Sequence, residues 1–536
     1  MTTDTIVAII TPPGLGGIAA LRLSGADSLT IAKKIFTPVD TPTKFPSREG
    51  CPVRGGVCDE AFPPRMAVFG TIKADGFTDQ GLAIYFKAPN SFTGEDCVEF
   101  FTHGGNTIPA GVLQACLAAG ARLAGNGEFS KRAVLNGKMD LAQAEGIVEM
   151  IQATSNAAVR AGFSLLQGTL SKRVTELQKV LTDCLSEIEV RLDYPEYEHE
   201  GAQPFAPTSA TPSSLTACHP FGKGELLAHQ PVREVLDSSR SDRGSGLKEE
   251  LINVQNALTT LLATSKSGQM VKNGVGVAIV GRPNVGKSSL MNALLGAERS
   301  IVTEVMGTTR DVVKDAYNYK DIQFILSDTA GIRRGETRVE EIGIERSYME
   351  IESADIVLVV LDSSQGLTQE DEKLLKLVED KPCITVWNKA DISSDGIASS
   401  DGAGSRARND NVVCALSLRD GQAEPANEAI SHIEVKTSAL QNVGISELKD
   451  AVYQTIFTGS TALASDQIML TSLRHKAAIE LALNSLKTAI SMADNDGLEC
   501  VSLYIKSAWL ALGEITGTTS NEAVLDAIFS KFCLGK

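Results

Sequence analysis

Val275-Gly276-Val277-Ala278-Ile279-Val280-Gly281-Arg282-Pro283-Asn284-Val285-Gly286-Lys287-Ser288-Ser289 decides how this chain is read. An apolar run leads directly into a match to G-x-x-x-x-G-K-[ST]. A buried strand, a glycine-rich turn and a helix start in that order make a phosphate cradle. The glycines let backbone N–H groups point at phosphate oxygens. Lys287 reaches the outer two phosphates, and the Ser288 hydroxyl is placed to hold Mg²⁺. A glycine-lysine turn can arise by chance, but the strand before it and the helix after it make chance a poor account.

Working outward, four further pieces follow in order. Asp328-Thr329-Ala330-Gly331 comes after the apolar Phe324-Ile325-Leu326. An Asp at a strand end can reach Mg²⁺ through water, and the glycine amide can face a γ-phosphate. Asn388-Lys389-Ala390-Asp391 comes after Ile384-Thr385-Val386-Trp387. The Asp391 carboxylate can accept hydrogen bonds from N1 and the 2-amino group of guanine. Adenine offers neither donor, and an unpaired buried Asp would reject it. Ser438-Ala439-Leu440 fits a last base-contacting loop. Gly307-Thr308-Thr309-Arg310-Asp311 fits a first switch, preceded by Thr303-Glu304-Val305-Met306, with the Thr309 hydroxyl as a second Mg²⁺ ligand. Each piece is weak alone. Together, in order and on strand ends, they point to guanine-nucleotide hydrolysis.

One absence shapes the expected mechanism. After Gly331 comes Ile332, where Ras-type switches place a water-orienting Gln. Isoleucine neither donates nor accepts, so the attacking water needs another guide. Glu336, Glu340 and Glu341 are the acidic candidates. Asn284 offers a side-chain carbonyl near the phosphates. With backbone carbonyls between Thr303 and Thr308 it could hold a monovalent cation, putting positive charge where activating partners place an arginine.

The flanks carry a resemblance. The N-terminus reads from Thr5 to Gly17 as Thr-Ile-Val-Ala-Ile-Ile-Thr-Pro-Pro-Gly-Leu-Gly-Gly and continues from Leu21 to Gly25 as Leu-Arg-Leu-Ser-Gly. Pro89 to Glu99 reads Pro-Asn-Ser-Phe-Thr-Gly-Glu-Asp-Cys-Val-Glu. His103-Gly104-Gly105, Gly127-Glu128-Phe129 and the run Asn136 to Glu145 follow, and the chain ends Phe532-Cys533-Leu534-Gly535-Lys536. On these motifs the chain resembles the tRNA modification GTPase family known as MnmE or TrmE, within the Era-like group. The likeness covers nearly the whole chain apart from two insertions. Gly125-Asn126 stands where that family usually has a Pro.

The resemblance implies a multidomain α/β and α+β fold. An N-terminal folate-binding-like α+β domain would span 1–137. A discontinuous helical domain would span 138–273 and 458–536, with a Ras-like P-loop G domain and its mainly parallel sheet inserted at 274–457. It implies GTP/GDP, Mg²⁺ on Ser288 and Thr309, and K⁺ on Asn284, Thr303, Val305 and Thr308. A formyl- or methylene-tetrahydrofolate is implied on Arg22, Glu99, Lys138 and Lys536. It implies Glu340 as the residue that orients water, and Cys533 as a site-lining or nucleophilic thiol. It also implies a homodimer acting on tRNA with an MnmG/GidA-type partner that carries FAD. This chain itself has no dinucleotide fingerprint. A ribosome-assembly GTPase of the Era kind is the alternative, though no Gly-x-x-Gly RNA module follows the helical end. A switch protein in which nucleotide state alone matters is a third reading.

Composition agrees. The chain has 536 residues, 43% of them hydrophobic, with room for two to four domains. The formal net charge of −16 excludes a chain that binds nucleic acid by bulk charge, so tRNA must meet local basic patches or a partner. Ten dispersed cysteines show no paired CxxC spacing, and those in apolar runs, such as Cys116 and Cys383, read as core thiols. No apolar run approaches a membrane span of about 18 residues, and the chain opens directly on its first motif. A cytoplasmic protein without a presequence is expected.

Periodicity sets the element expectations. Ile6 to Ile10, Ala19 to Leu23, Met66 to Phe69 and Leu82 to Phe86 read as strands. From Leu141 to Leu192 the pattern turns helical, with Val174, Leu177, Leu181, Leu185, Ile188 and Leu192 on one stripe and Pro195 as the stop. Helices are also expected over Leu251 to Leu262, Leu473 to Ile490 and Val501 to Leu512. Residues 199–246 and 393–430 read as exposed insertions. His199, Cys218, His219 and His229 in the first lack metal-ligand spacing and read as solvated loop residues.

Overall fold

The computed structural model describes residues 4–39, 62–193, 243–296, 299–301, 315–328, 351–392, 433–457, 468–493, 497–532 and 535. Two compact units emerge. The first holds Met1–Lys172, Ala263–Lys476 and Ile515–Lys536, and the second Arg173–Leu262 and Ala477–Glu514.

The N-terminal part is an α+β layer. Its strands are β1 (Ile6–Ile9), β2 (Ile18–Ser24), β3 (Phe36–Pro38), β4 (Ala67–Ala74), β5 (Phe77–Phe86), β6 (Cys97–His103) and β7 (Arg122–Leu123). Its helices are α1 (Ser28–Ile35), α2 (Thr107–Ala118) and α3 (Glu128–Leu135). The sheet order is β3-β4-β5-β6-β2-β1-β7, antiparallel except for the β1–β7 pair. All four expected strands are present. Strand alternation gives the sheet two characters. Val7, Leu21, Leu23, Val98 and Phe100 join Ile31, Val112 and Cys116 in one core. Ile6 and Ala8 turn the other way, toward Ala124 and Phe129. In register with them lie Ser24 and Arg22, then Cys97 and Glu99. This second face therefore carries polar side chains beside a small apolar floor.

The helical expectation over 141–192 resolves into three helices: α4 (Leu141–Gln152), α5 (Asn156–Leu166) and α6 (Thr169–Asp193). Asp140 opens α4 with a reciprocal capping box to Gln143, and the Ser155 hydroxyl accepts from the Ala158 amide to open α5. The Ser155 cap inside the stretch separates α4 from α5, and Gly168 at φ 72° separates α5 from α6. Val174, Leu177, Leu181 and Ile188 are buried, whereas Leu192 is exposed at the helix end. Next come α7 (Arg243–Ala263) and α8 (Ser265–Asn273). The α7 backbone begins at Arg243, inside the stretch read as an insertion. Buried Leu247, four residues before Leu251, extends the apolar period toward the N-terminus, and Lys248, Glu249 and Glu250 between them favour helix.

The G domain contains β8 (Val275–Val280), α9 (Lys287–Leu295), β9 (Arg299–Ile301), β10 (Asp315–Tyr319) and β11 (Ile322–Asp328). It continues with β12 (Ile356–Asp362), α10 (Gln369–Leu377), β13 (Cys383–Asn388), β14 (Ile433–Lys436) and α11 (Ile445–Phe457). The sheet order is β14-β13-β12-β8-β11-β10-β9. Its first five strands are parallel, and β10 and β9 add an antiparallel edge. Every residue of β12 is buried, as a strand covered on both faces requires. Each such Val, Leu or Ile contributes about 1.5–3 kcal/mol. Cys116 and Cys383 are core thiols as expected, and burial pushes the Cys116 thiol up to about 12.

One core cluster runs from α5 and α8, through Ala157, Ala158, Met270 and Val271, into the sheet residues Val275, Phe324 and Ile356. The turn joining β10 to β11 reaches the start of α5. Lys320 and Asp321 both have positive φ, the geometry of a two-residue hairpin turn. The Asp321 carboxylate accepts from Asn156 at 2.9 Å and Arg160 at 3.0 Å, and its carbonyl accepts from the Ala157 amide.

The chain closes with α12 (Leu473–Met492), α13 (Leu498–Thr516) and α14 (Glu522–Phe529). In the second unit, α6, α7, α12 and α13 form a helical layer, with Gln178 donating to the Trp509 carbonyl at 3.0 Å. Among the described residues no helix is long and apolar enough to cross a membrane.

Candidate functional site

The phosphate loop lies between β8 and α9. Gly286 takes a left-handed φ of 98° as the residue that opens α9. A Cβ there would lie 2.3 Å from the Asn388 side-chain nitrogen, so only glycine fits. Asn284 is also left-handed, at φ 66°, and exposed with Ser288 and Ser289. The α9 amides and Ser288 together offer donors and a hydroxyl at a helix N-terminus, a donor set suited to phosphate and Mg²⁺. The Lys287 ammonium donates to the Gly281 and Arg282 carbonyls at 2.8 Å each, which holds it across the loop.

Asn388 ties the base-side motifs to this loop. Its Nδ2 donates to the Val285 carbonyl at 3.0 Å. Its Oδ1 accepts from the Ala439 amide at 3.1 Å and the Thr437 hydroxyl at 3.3 Å. The Ala390 amide donates to the Thr437 carbonyl. The structure thus brings Val285, Asn388, Ala390 and Ala439 together, although up to 154 residues separate them in sequence. Ser438 accepts from the Gln441 amide and bridges Val443, while Leu440 is exposed.

Three contributors escaped sequence reading. Asp362 ends β12 and accepts from Lys389 at 2.7 Å. Burial pushes its carboxyl up, but hydrogen bonds from Lys389 and Ser364 outweigh this and hold it below the usual range. Thr437 precedes the Ser438 motif. Asp371, fully buried on α10, pairs at 2.8 Å with Arg282 of the phosphate loop and anchors it. The available signal was a lone Asp after a buried apolar run, as at Asp328.

Of the other nucleotide-site expectations, Asp328 closes β11. Thr303 to Thr309, Thr329 to Gly331, Glu340, residues 199–242 of the first insertion, the whole of the second, and with them the histidines at 199, 219 and 229 lie outside the described residues. So do Cys533 and Lys536. Among the described residues no cluster of three or more His, Cys, Asp or Glu is arranged to hold a metal.

The second cluster sits on the polar face of the N-terminal sheet. Arg22 and Glu99 are cross-strand neighbours, paired at 2.8 Å and about 15% exposed. The Arg22 guanidinium lies 4.5 Å over Phe92 and 5.6 Å from Phe129. The loop bearing Phe92 is fastened underneath. Ser24 donates to Glu95 at 2.6 Å, Arg132 pairs with Glu95 at 3.3 Å, and Asn136 donates to the Thr93 carbonyl at 2.8 Å. Lys138 follows two residues after Asn136 and is exposed. The C-terminal end comes to the same region: a Cβ on Gly535 would meet the Ile9 carbonyl at 2.5 Å, so that glycine lies against the end of β1. Phe529 and Phe532 lead it there, packed with Leu141 and Ala144.

Comparison with known proteins decides the family. A family model described as the GTP-binding protein TrmE N-terminus matches residues 5–138, and one described as the MnmE helical domain matches residues 141–533. The chain belongs to the MnmE family of tRNA modification GTPases. The tRNA modification GTPase MnmE of Alkaliphilus oremlandii is 35% identical over 99% of both chains. That of Moorella thermoacetica is 36% identical over the whole of both. Solved structures similar to part of this chain include Aquifex aeolicus Era bound to GDP and aluminium fluoride. It is 27% identical over 39% of this chain and 66% of that one, with a TM-score of 0.23. The Thermotoga maritima FeoB G domain is 23% identical over 34% of this chain and 98% of that one, with a TM-score of 0.22. MnmE-family membership makes this multidomain chain a GTP-hydrolysing enzyme with a P-loop G domain.

Proposed function

We propose that this MnmE-family GTPase modifies C5 of the wobble uridine in certain tRNAs. It would add an aminomethyl or carboxymethylaminomethyl group together with an FAD-dependent partner of the MnmG/GidA type. The one-carbon unit would come from a tetrahydrofolate held on the Arg22–Glu99 face. The observation that carries the reading is one chain holding both a nucleotide cradle and this polar sheet face, with Gly535 drawn to its edge.

The residues have work suited to that chemistry. Arg22 can pair with a folate carboxylate, and Glu99 can accept from a pterin amino and N–H edge. The rings of Phe92 and Phe129 keep the guanidinium oriented. Lys138, with Lys536, would bind the rest of the cofactor. Cys533 would line the site or add to the pyrimidine ring. In the G domain, the loop amides from Asn284 to Ser289 and the Lys287 ammonium hold the phosphates. Asp391 accepts from guanine, with Ser438, Ala439 and Leu440 over the base. Ser288 and Thr309 would hold Mg²⁺, and Asn284 with Thr303, Val305 and Thr308 would hold K⁺. When bound, these ions supply positive charge against the phosphates. Glu340 would orient the attacking water. Two G domains of a homodimer would meet across the K⁺ sites on GTP binding, stimulating hydrolysis.

Mass spectrometry of tRNA nucleosides tests this in a strain lacking the gene, with and without complementation by this chain. Loss and restoration of C5-aminomethyl wobble uridines are expected. An unchanged profile would put an Era-like ribosome-assembly role first.

A further inference from the structure

The Asn388-Lys389-Ala390-Asp391 turn contains an oddity. Lys389 has a φ of 63°, a backbone conformation that disfavours a long side chain. Something must hold it there. Its ammonium reaches Asp362 Oδ2 at 2.7 Å, and Asp362 is only 2% exposed. The other carboxylate oxygen is also committed. Asp362 Oδ1 accepts from the Ser364 amide at 2.9 Å and from its hydroxyl at 2.6 Å. Asp362 lies directly opposite Asn388 across the β12–β13 ladder, and the Ser363 amide donates to the Asn388 carbonyl. A carboxylate fixed on both oxygens, at the end of a wholly buried strand, therefore pins the far end of the Lys389 stem. Its near end is pinned by the turn.

We propose that Asp362 is a positioning residue for guanine binding: it holds the Lys389 methylene stem as a rigid wall beside the base that Asp391 recognises. A stem fixed at both ends loses no rotamer freedom when a planar purine stacks on it, which is preorganisation in its usual sense. Ser364 acts one step further out, by orienting the carboxylate. The inference rests on reading Asn388 to Asp391 as the guanine site. That reading is checked separately by Asp391→Asn, which should shift preference from guanine toward xanthine nucleotides.

The test is a double-mutant cycle on the full-length chain, with GDP binding measured by calorimetry and GTP hydrolysis at steady state. Asp362→Asn keeps the shape and removes the charge. Lys389→Met keeps the stem and removes the ammonium. Each alone should weaken GDP about tenfold or more. The double variant should be no weaker than the worse single one, because both remove the same constraint. In Asp362→Asn the rise in KM should exceed any fall in kcat at least fivefold, whereas general damage lowers kcat through the active fraction. If Asp362→Asn does not fold, Ser364→Ala replaces it in the cycle with an expected loss of a few fold. GDP affinity within twofold of the parent, or effects that multiply in the double variant, would overturn the proposal. A normal Asp391→Asn base preference would instead overturn the underlying reading of the guanine site.

Discussion

Gly286→Ala is the sharpest perturbation of the nucleotide site. The new methyl would sit 2.3 Å from the Asn388 nitrogen, where ordinary contact begins at 3.4 Å. Asn388 is 2% exposed and is held on both side-chain ends. It must therefore give up its hydrogen bonds to Val285, Thr437 and Ala439. Each is worth about 1 kcal/mol net. The left-handed backbone at φ 98° adds about 1–2 kcal/mol for any residue with a Cβ. The sum, about 4 kcal/mol, falls on the bound-competent arrangement of three motifs. At about 1.4 kcal/mol per decade this is near a thousandfold in affinity. Calorimetric titration with GDP reads it, and circular dichroism confirms the fold. A GDP affinity within tenfold of the parent would refute the claim that Asn388 joins the phosphate loop to the base-side loops.

Other predictions are simpler. Glu340→Ala should keep GTP affinity and lose about hundredfold or more in single-turnover hydrolysis; equal loss of both would contradict its role in orienting water. Glu145 on α4 is held by Arg474 at 2.9 Å and by the buried His475 at 2.8 Å. Burial pushes its carboxyl up, but these partners outweigh it and bring it down to about 2. A depressed folded-state value stabilises above the unfolded value of about 4.3, and that contribution is lost as pH falls toward 2. It is worth about 3 kcal/mol at neutral pH. Denaturant unfolding of Glu145→Gln should show that loss at pH 7 and a smaller decline between pH 5 and 3. Asp321→Ala should cost less than about 1 kcal/mol, since its ion pair with Arg160 is exposed. Hydrogen exchange in the first turn of α5 should nevertheless quicken; unchanged exchange would mean the hairpin turn does not hold that helix end.

Much of the fold was legible because strong local signals agreed with it. The apolar runs before Gly281, Asp328 and Asn388 are buried strands that deliver their motifs at strand ends. The stripe from Val174 to Ile188 is a helix face. The division of 141–193 into three helices was harder. Its markers are the Ser155 hydroxyl capping the Ala158 amide and Gly168 at φ 72°, single residues inside a long apolar-periodic stretch. Leu192 lies in the helix as expected but is exposed, because periodicity marks a helix face and does not say how far along it packing extends.

The candidate site divides along a different line. Residues in short contiguous motifs are legible where chemistry and spacing coincide, and the fold draws Gly286, Lys287 and Asn388 together. Residues that hold those motifs from other strands were not. Asp362, Thr437 and Asp371 have no spacing relative to what they support; they become visible only when β12, β13 and α10 are brought side by side. Arg22 and Glu99 show the same limit from the opposite direction. Each was named singly from the resemblance, yet the β2–β6 register makes them direct neighbours, and the pair is oriented by Phe92 on a loop that Ser24, Arg132 and Asn136 fasten. A ligand carboxylate arriving at Arg22 would therefore compete with Glu99, which would be freed to accept from another part of the same ligand. The exchange of one salt bridge for two ligand contacts is a property of the pair, and no reading of either residue alone contains it.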